Sequence, residues 1–323
     1  MHNKMTVSFA PHIHDSTTTN RIMLDVIIAL CPALIAAVVI FGPRAALVTI
    51  VCVVSCVFFE WAYEKVTRRP CTIRDLSAGI TGILLAFNLP SSIPLWQAVF
   101  GSAVAIILVK QFFGGIGKNF ANPALTARIV MLISFPTAMT TWYPTPGGLF
   151  GRASGAVSGA TPSAISGATP LELMQRGDLD LMPSLMEMLL GVHGGSLGET
   201  SAIALLIGGV YLLARRVITW HTPVAFIGTT VLLSAILGEH PTYQLLLGGL
   251  LLGAIFMATD YPTSPQTSSG RLVFGVGCGL LTVLIRVWGN YPEGVSFAIL
   301  FMNCLVPYIN KFTLSKALGG KKA

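Results

Sequence analysis

A chain of 323 residues that is 53% hydrophobic and only 10% charged, with a mean hydropathy of +0.74, is not a water-soluble domain, in which roughly a quarter of residues are charged. Its net charge of +7 would suit a nucleic-acid partner only if it formed one basic face. The Lys and Arg residues lie instead in short runs between apolar stretches, which excludes nucleic acid and points to membrane lipid.

Residues 1–20 are polar, carry His2, His12 and His14, and show no short apolar run followed by a small-residue cleavage site, so no cleaved leader is expected. Apolar stretches long enough to cross a bilayer, roughly 17–25 residues as helix, follow near 22–41, 45–63, 73–89, 95–113 and 122–138. Next comes 139–184, rich in Gly, Ser, Thr, Ala and Pro, far longer than the other connections and therefore a candidate functional loop. The apolar run Met182–Gly191 is too short to cross and reads as interfacial or re-entrant. A second set of crossing-length stretches lies near 199–214, 217–237, 242–259, 272–289 and 294–310.

This pattern predicts an all-α polytopic membrane protein of about ten transmembrane helices, divided into 1–138, the outer segment 139–198 and 199–323. With both termini cytoplasmic, fifteen Lys and Arg residues fall inside and four (Arg44, Arg152, Arg176, Arg286) outside, Arg128 being left within the membrane. That bias obeys the positive-inside rule, and the opposite orientation would reverse it. The long segment then faces away from the cytoplasm.

Five helices on each side of an outward loop give two halves of opposite orientation, as in inverted-repeat membrane folds. A faint internal echo accompanies this: the third stretch of each half is Gly-rich and ends in a polar-x-Pro signal, Asn88-Leu89-Pro90 and Asp260-Tyr261-Pro262. Chance is the competing explanation, since Gly is frequent in membrane helices and Pro often follows helix ends.

Six Cys residues contain no CxxC pair, and five of them fall in apolar runs, where Cys is an ordinary small hydrophobe. None of the His residues falls in the middle of an apolar run, which argues against a haem held between membrane helices. The polar groups within or beside the apolar stretches are Asp25, Glu60, Arg128, Glu199 and Asp260. An ionised residue at the centre of a membrane helix costs roughly 2.5–3.5 kcal/mol, so each is a candidate for an ion path. All five lie within one or two turns of an expected helix end, where interfacial placement removes most of that cost, and the structural reading comes first.

Within the outer loop the string Ser-Gly-Ala-Thr occurs twice, at Ser158–Thr161 and at Ser166–Thr169. Elsewhere stand Met23-Leu-Asp-Val-Ile-Ile-Ala-Leu-Cys-Pro32, Gly114-Gly-Ile-Gly-Lys-Asn-Phe-Ala-Asn-Pro-Ala-Leu125, Gly194-Gly-Ser-Leu-Gly-Glu-Thr-Ser201, Ala258-Thr-Asp-Tyr-Pro-Thr-Ser-Pro265 and Gly289-Asn-Tyr-Pro-Glu-Gly294 running on to Asn303. In these strings, which span nearly the whole chain, the sequence resembles the D subunits of the Rnf-type ion-translocating ferredoxin:NAD oxidoreductases.

The resemblance implies an electron-transfer subunit of an inner-membrane complex that couples ferredoxin oxidation and NAD reduction to Na+ or H+ translocation. It implies FMN joined through its phosphate to a Thr, installed by a separate flavin transferase. It also implies other membrane and peripheral subunits, including a second covalent-flavin subunit, and a second, noncovalent flavin (riboflavin or FMN) among the helices. In the family the attachment Thr is followed by Pro-Leu and a helix-like run. Thr169 matches this with Pro170-Leu171-Glu172, and Ser166, Gly167 and Ala168 complete its motif, whereas Thr161 precedes Pro162-Ser163 and is the runner-up. The family's usual Asp three residues before the motif is replaced by Gly155 and Ser163. For a second flavin or an ion path the candidates are Asn119, Asn122, Arg128, Glu199, Asp260 and Asp25. The turns Gly114–Asn122 and Gly191–Glu199 lead into helices whose N-termini suit a phosphate or ring carbonyl, with ordinary capping as the alternative.

The alternatives are the B subunit of the sodium-translocating NADH:quinone oxidoreductases, generally with a longer extension before its first helix, and a flavin-free secondary transporter. The transporter leaves both Ser-Gly-Ala-Thr strings unexplained. No GxGxxG fingerprint followed by an acidic residue is present, so NAD is expected to react on another chain of the complex.

Overall fold

The computed structural model describes residues 18–142, 169–176, 180, 182–191, 193–199, 201–289 and 293–314. Among the described residues the secondary structure is helical throughout, without a strand. Four helices are long and apolar enough to cross a membrane alone: α1 (Thr19–Phe41), α2 (Pro43–Thr67), α13 (Ser268–Trp288) and α14 (Val295–Thr313). Between them, in chain order, lie α3 (Ser77–Phe87), α4 (Leu95–Ala103), α5 (Pro123–Ser134), α6 (Pro136–Thr140), α7 (Pro170–Arg176), α8 (Leu185–Leu190), α9 (Ala202–Ala214), α10 (His221–Ile236), α11 (Pro241–Leu246) and α12 (Leu250–Leu252). A π-helical stretch, Val104–Gln111, prolongs α4, and another, Gly253–Met257, prolongs α12.

Every stretch expected to cross contains helix, and the chain is an all-α polytopic membrane protein. Several helices, however, are shorter than the apolar runs that contain them. α3 has 11 residues, about 17 Å at 1.5 Å per residue, and the expected helix over 242–259 breaks after α11 at Leu247–Gly249. Gly248 and Gly249 both take left-handed backbone there, which ends one helix and starts the next. The interfacial run 182–191 contains only the six-residue α8, too short to cross.

The first helix of each half packs against its counterpart, α1 on α9, and so does the last, α5 on α14. A Cβ on Gly208 of α9 would lie 2.2 Å from the Ala29 carbonyl oxygen of α1, so this close crossing requires glycine. The core runs continuously from Leu30 and Ala33 through Leu85, Phe87 and Leu125 to Phe256, Ile299 and Val306. Outward, Ile35, Ile50, Ile133, Val210, Ile236 and Phe312 are exposed, as expected of side chains whose solvent is lipid.

The two polar-x-Pro signals mark equivalent places. α3 ends at Phe87 with Asn88 as its C-cap, and the π-helical stretch after α12 ends at Met257, shortly before Asp260. The two ends meet, the Asn88 Nδ2 lying 3.7 Å from the Met257 Sδ. The turn before α9 docks on the same place: Gly198 N donates to Phe87 O and Leu197 N to Leu89 O, both at 3.0 Å, satisfying carbonyls that α3 leaves open. A Cβ on Gly198 would strike the Phe87 side chain at 2.3 Å.

Candidate functional site

Arg128, in the second turn of α5, reaches into this junction. Its guanidinium donates at 3.0 Å to each of Asn88 Oδ1, Glu199 Oε1 and Ser296 Oγ, and also pairs with Glu293. The end of α3, α5, the turn before α9 and the start of α14 are thereby tied to one side chain that is 5% exposed. An Arg fork suits such a role because its five donors have fixed directions. Two carboxylates facing one cation also make the junction electrostatically responsive to any further charge placed beside it.

Thr169 lies beside it. It is buried, and its Oγ1 accepts from Glu172 N at 3.2 Å, making it the N-cap of α7 with Pro170 at the first helical position. Leu171 of α7, Met188 of α8 and Leu247 at the α11–α12 break form a small apolar cluster that holds α7 in place. Arg286 secures the break itself, donating to the carbonyls of Gln244 (2.7 Å), Leu247 (2.8 Å) and Gly248 (3.2 Å). Thr169 opens into a cavity of about 10 Å³ walled also by His193, Gly194, Gly195, Gly248, Glu199 and Glu293. The sequence-selected Thr and the Arg128 junction are therefore neighbours that share Glu199 and Glu293.

The chemistry of Thr169 fits a phosphoester. Its Oγ1 serves the helix as an acceptor, so esterification would replace the hydroxyl hydrogen and leave the cap's lone pair in place. The cavity is about the size of one water molecule, so the arm and the ring system of such a group would both lie outside it. Ser166, Gly167, Ala168 and Thr161 lie outside the described residues.

The remaining candidates do not join this site. Asn122 caps its own helix, its Oδ1 accepting from Ala124 N (3.1 Å) and Leu125 N (3.3 Å), while Ser201 Oγ accepts from Ala204 N at the start of α9. The two helix N-termini expected to receive a phosphate or ring carbonyl thus each carry a side-chain cap on one or two of their open N–H groups. Asn119 stands apart, its Oδ1 buried without a hydrogen-bond partner. Asp25 accepts from Tyr211 Oη (2.9 Å) and Arg215 (3.3 Å) across the α1–α9 crossing. Asp260 accepts from Thr263 Oγ1 at 3.1 Å and lines a separate cavity of about 60 Å³ with Ile22, Leu84, Leu212 and Tyr261.

Of the five polar groups expected near helix ends, Asp25, Glu60, Arg128 and Glu199 are buried within the protein. Glu60 is fully buried and Lys110, counted on the cytoplasmic side, is 2% exposed. Lys110 Nζ donates to Glu60 Oε2 (2.7 Å), Glu60 Oε1 (2.9 Å) and Ser77 Oγ (2.6 Å). Thr72 Oγ1 donates to Glu60 Oε1 at 3.0 Å and also contacts Glu64, whose carboxylate accepts from Thr72 N at 3.1 Å. Pairing within the protein, not snorkelling, offsets the burial. Arg286 is likewise buried, so one charge leaves each side of the topology count and its sign is unchanged.

Sequence reasoning named Arg128 and Glu199 and missed Glu293, Ser296 and His193 as their neighbours. Glu293 and Ser296 stand inside the Gly289–Asn303 string and Asn88 inside the polar-x-Pro echo, so the signal existed, but nothing local says that these segments converge.

Residues 6–319 match the NQR2, RnfD, RnfE family. The chain belongs to that family. It is 43% identical, over 98% of its length and 96% of the relative's, to the D subunit of the Na(+)-translocating ferredoxin:NAD(+) oxidoreductase complex of Acetobacterium woodii. Identity is 38%, over 99% and 98%, to the D subunit of the proton-translocating ferredoxin:NAD(+) oxidoreductase complex of Clostridium ljungdahlii. It is 41%, over 94% and 93%, to the D subunit of the ion-translocating oxidoreductase complex of Stutzerimonas stutzeri. Relatives at similar identity are thus named for different ions, and membership of the family does not fix which ion is moved.

Proposed function

We propose that this chain is the D-type membrane subunit of an ion-translocating ferredoxin:NAD oxidoreductase complex and that it carries one FMN esterified to Thr169. The observation that carries the reading is the placement of Thr169: a buried helix cap with an oxygen free to be esterified, sharing a cavity with the two carboxylates that Arg128 ties to both halves of the bundle. In this reading both termini are cytoplasmic and 139–198 faces the other side of the inner membrane. Ferredoxin, NAD, the second covalent flavin and the flavin transferase belong to other chains, and a second, noncovalent flavin sits among the helices.

A tethered flavin supplies a redox centre that accepts and passes on electrons while remaining attached in every oxidation state. The chain's own residues do the rest. Thr169 fixes one end of the arm, removing the cost of holding a free cofactor. Gly194, Gly195 and Gly248 wall the cavity beside Thr169 without side chains of their own. Arg128 holds Glu199 and Glu293 beside it, and charge added there is felt strongly because Arg128 and Glu199 are buried. Na+ or H+ movement is coupled to this electron transfer within the complex.

The test is substitution with a fluorescence readout of the denatured protein. Thr169→Ala removes the side-chain oxygen that forms the ester and abolishes covalently retained flavin, and Thr161→Ala leaves it intact. Membrane abundance stays normal, since loss of a cap costs about 1 kcal/mol. Retained flavin in Thr169→Ala with loss in Thr161→Ala moves the attachment to the first string. Retention in the double variant removes the covalent flavin altogether.

A further inference from the structure

We propose that the membrane-facing side of α2 and the turn after it form a binding site for one anionic glycerophospholipid. Val53, Val54, Val57, Phe58 and Trp61 lie on one face of α2, and Ile73, in the short 3₁₀ turn Ile73–Asp75, closes the other wall of an open groove of about 370 Å³ lined entirely by apolar side chains. From Val53 to Trp61 the groove follows the helix for about 12 Å, against about 15 Å of hydrocarbon in one leaflet. It therefore accommodates most of one acyl chain laid along the bilayer normal.

What selects the occupant is the charge at one end. Beyond Trp61 come Lys65, Arg68 and Arg69, and Arg74 follows Ile73 directly; all four are exposed. The nearby acids do not neutralise them. Glu60 and Glu64 are buried on the other side of α2 with Lys110 and Thr72, and Asp75 accepts from Ser77 N (2.9 Å) and Ser77 Oγ (2.5 Å). Arg69 is partly engaged, donating to Gln111 O at 3.3 Å. Lys65 Nζ sits 4.7 Å from the centre of the Trp61 ring, and Trp61 lies 6.1 Å from Phe58 between the cations and the apolar floor. Among the described residues Lys65, Arg68 and Arg74 have no acidic partner within ion-pair distance.

An apolar channel capped by an aromatic ring and then by unneutralised cations matches an acyl chain, an interfacial ester region and an anionic headgroup in that order. A zwitterionic lipid fills the same groove but brings no net charge to the cations. Each basic residue near an anionic surface contributes about a fivefold preference. By the positive-inside bias the headgroup lies in the cytoplasmic leaflet. The site is independent of the flavin reading and needs only that α2 face lipid.

The measurement is quenching of Trp61 by lipid brominated in its acyl chains. The full chain is reconstituted in phosphatidylcholine vesicles containing increasing shares of brominated phosphatidylglycerol or brominated phosphatidylcholine. Subtracting the signal of a Trp61→Phe variant isolates Trp61. The expected result is half-quenching at a several-fold lower share of the glycerol lipid. In an Arg68→Gln/Arg74→Gln variant, whose changes lie at the protein surface, the preference for the glycerol lipid should fall several-fold, with the remainder due to Lys65 and Arg69. Equal quenching by both lipids in the unmodified chain, a preference undiminished in the double variant, or no quenching of Trp61 by either lipid would each overturn the proposal.

Discussion

Among the described residues two buried charged networks stand out, and they are built differently. The network of Glu60, Glu64, Thr72, Ser77 and Lys110 belongs entirely to the first half, linking α2, the turn after it, α3 and the π-helical end of α4. None of its members walls the cavity beside Thr169 or the one beside Asp260. The network around Arg128 draws on both halves through Asn88, Glu199, Glu293 and Ser296, and two of its members wall the Thr169 cavity. Both bury charge at a cost that pairing offsets. Only the second combines buried charge, a cavity and a residue with replaceable chemistry, and it is the one proposed to be functional.

The comparison is broken most sharply by removing the two cations. Arg128→Leu leaves Glu199 and Glu293 without their partner and should cost about 3–5 kcal/mol, seen as loss of thermal stability in detergent. Lys110→Met should cost a similar amount because Glu60 stays buried and uncompensated. The networks then part company. Adding Glu60→Leu to Lys110→Met removes both charges, and stability and ferredoxin-dependent NAD reduction should return towards normal. Replacing Arg128, Glu199 and Glu293 together by apolar residues should restore stability but not electron transfer. Full activity in that triple variant would reduce the Arg128 junction to a structural role.

The reach of the sequence differed in the same way. Spans were legible because hydropathy reports the solvent, and α1, α2, α13 and α14 fill the stretches read for them. The breaks were not, because apolar chain buried among helices has the same composition whether helical or extended. Only Gly248-Gly249 and the two polar-x-Pro signals hint that α3 and α12 stop short. Thr169 was preferred to Thr161 because Pro170 and Leu171 match the family's pattern, and Pro170 does begin a helix, α7, with Thr169 as its cap. The burial of Lys110 was not legible because its partner Glu60 lies 50 residues away, and no local rule distinguishes a lysine at the cytoplasmic surface from one that turns inward.

Smaller effects sharpen the boundary of the site. Asp25→Asn weakens the bonds from Tyr211 and from the largely exposed Arg215 and should cost about 1 kcal/mol or less, with flavin content unchanged. Smaller still is the effect of acid on α8. Ser184 donates to Glu187 through its backbone N–H and hydroxyl, holding this carboxyl below its usual range. A depressed carboxylate stabilises the fold above its unfolded pKa, and that contribution is lost as pH falls through the folded value. Local hydrogen exchange of α8 should therefore rise only in acid, and Glu187→Gln should remove the pH dependence without moving the flavin.

Whether Thr169 bears the flavin is tested most directly by peptide mass spectrometry. Trypsin cutting after Arg152 and Arg176 releases a single peptide, 153–176, that contains both Ser-Gly-Ala-Thr strings, so fragmentation must assign the modification within it. The expected result is the mass of FMN less one water on this peptide, carried by fragments that include Thr169 and absent from those that end at Thr161. An unmodified peptide from protein made together with its flavin transferase, or the added mass on Thr161, would contradict it.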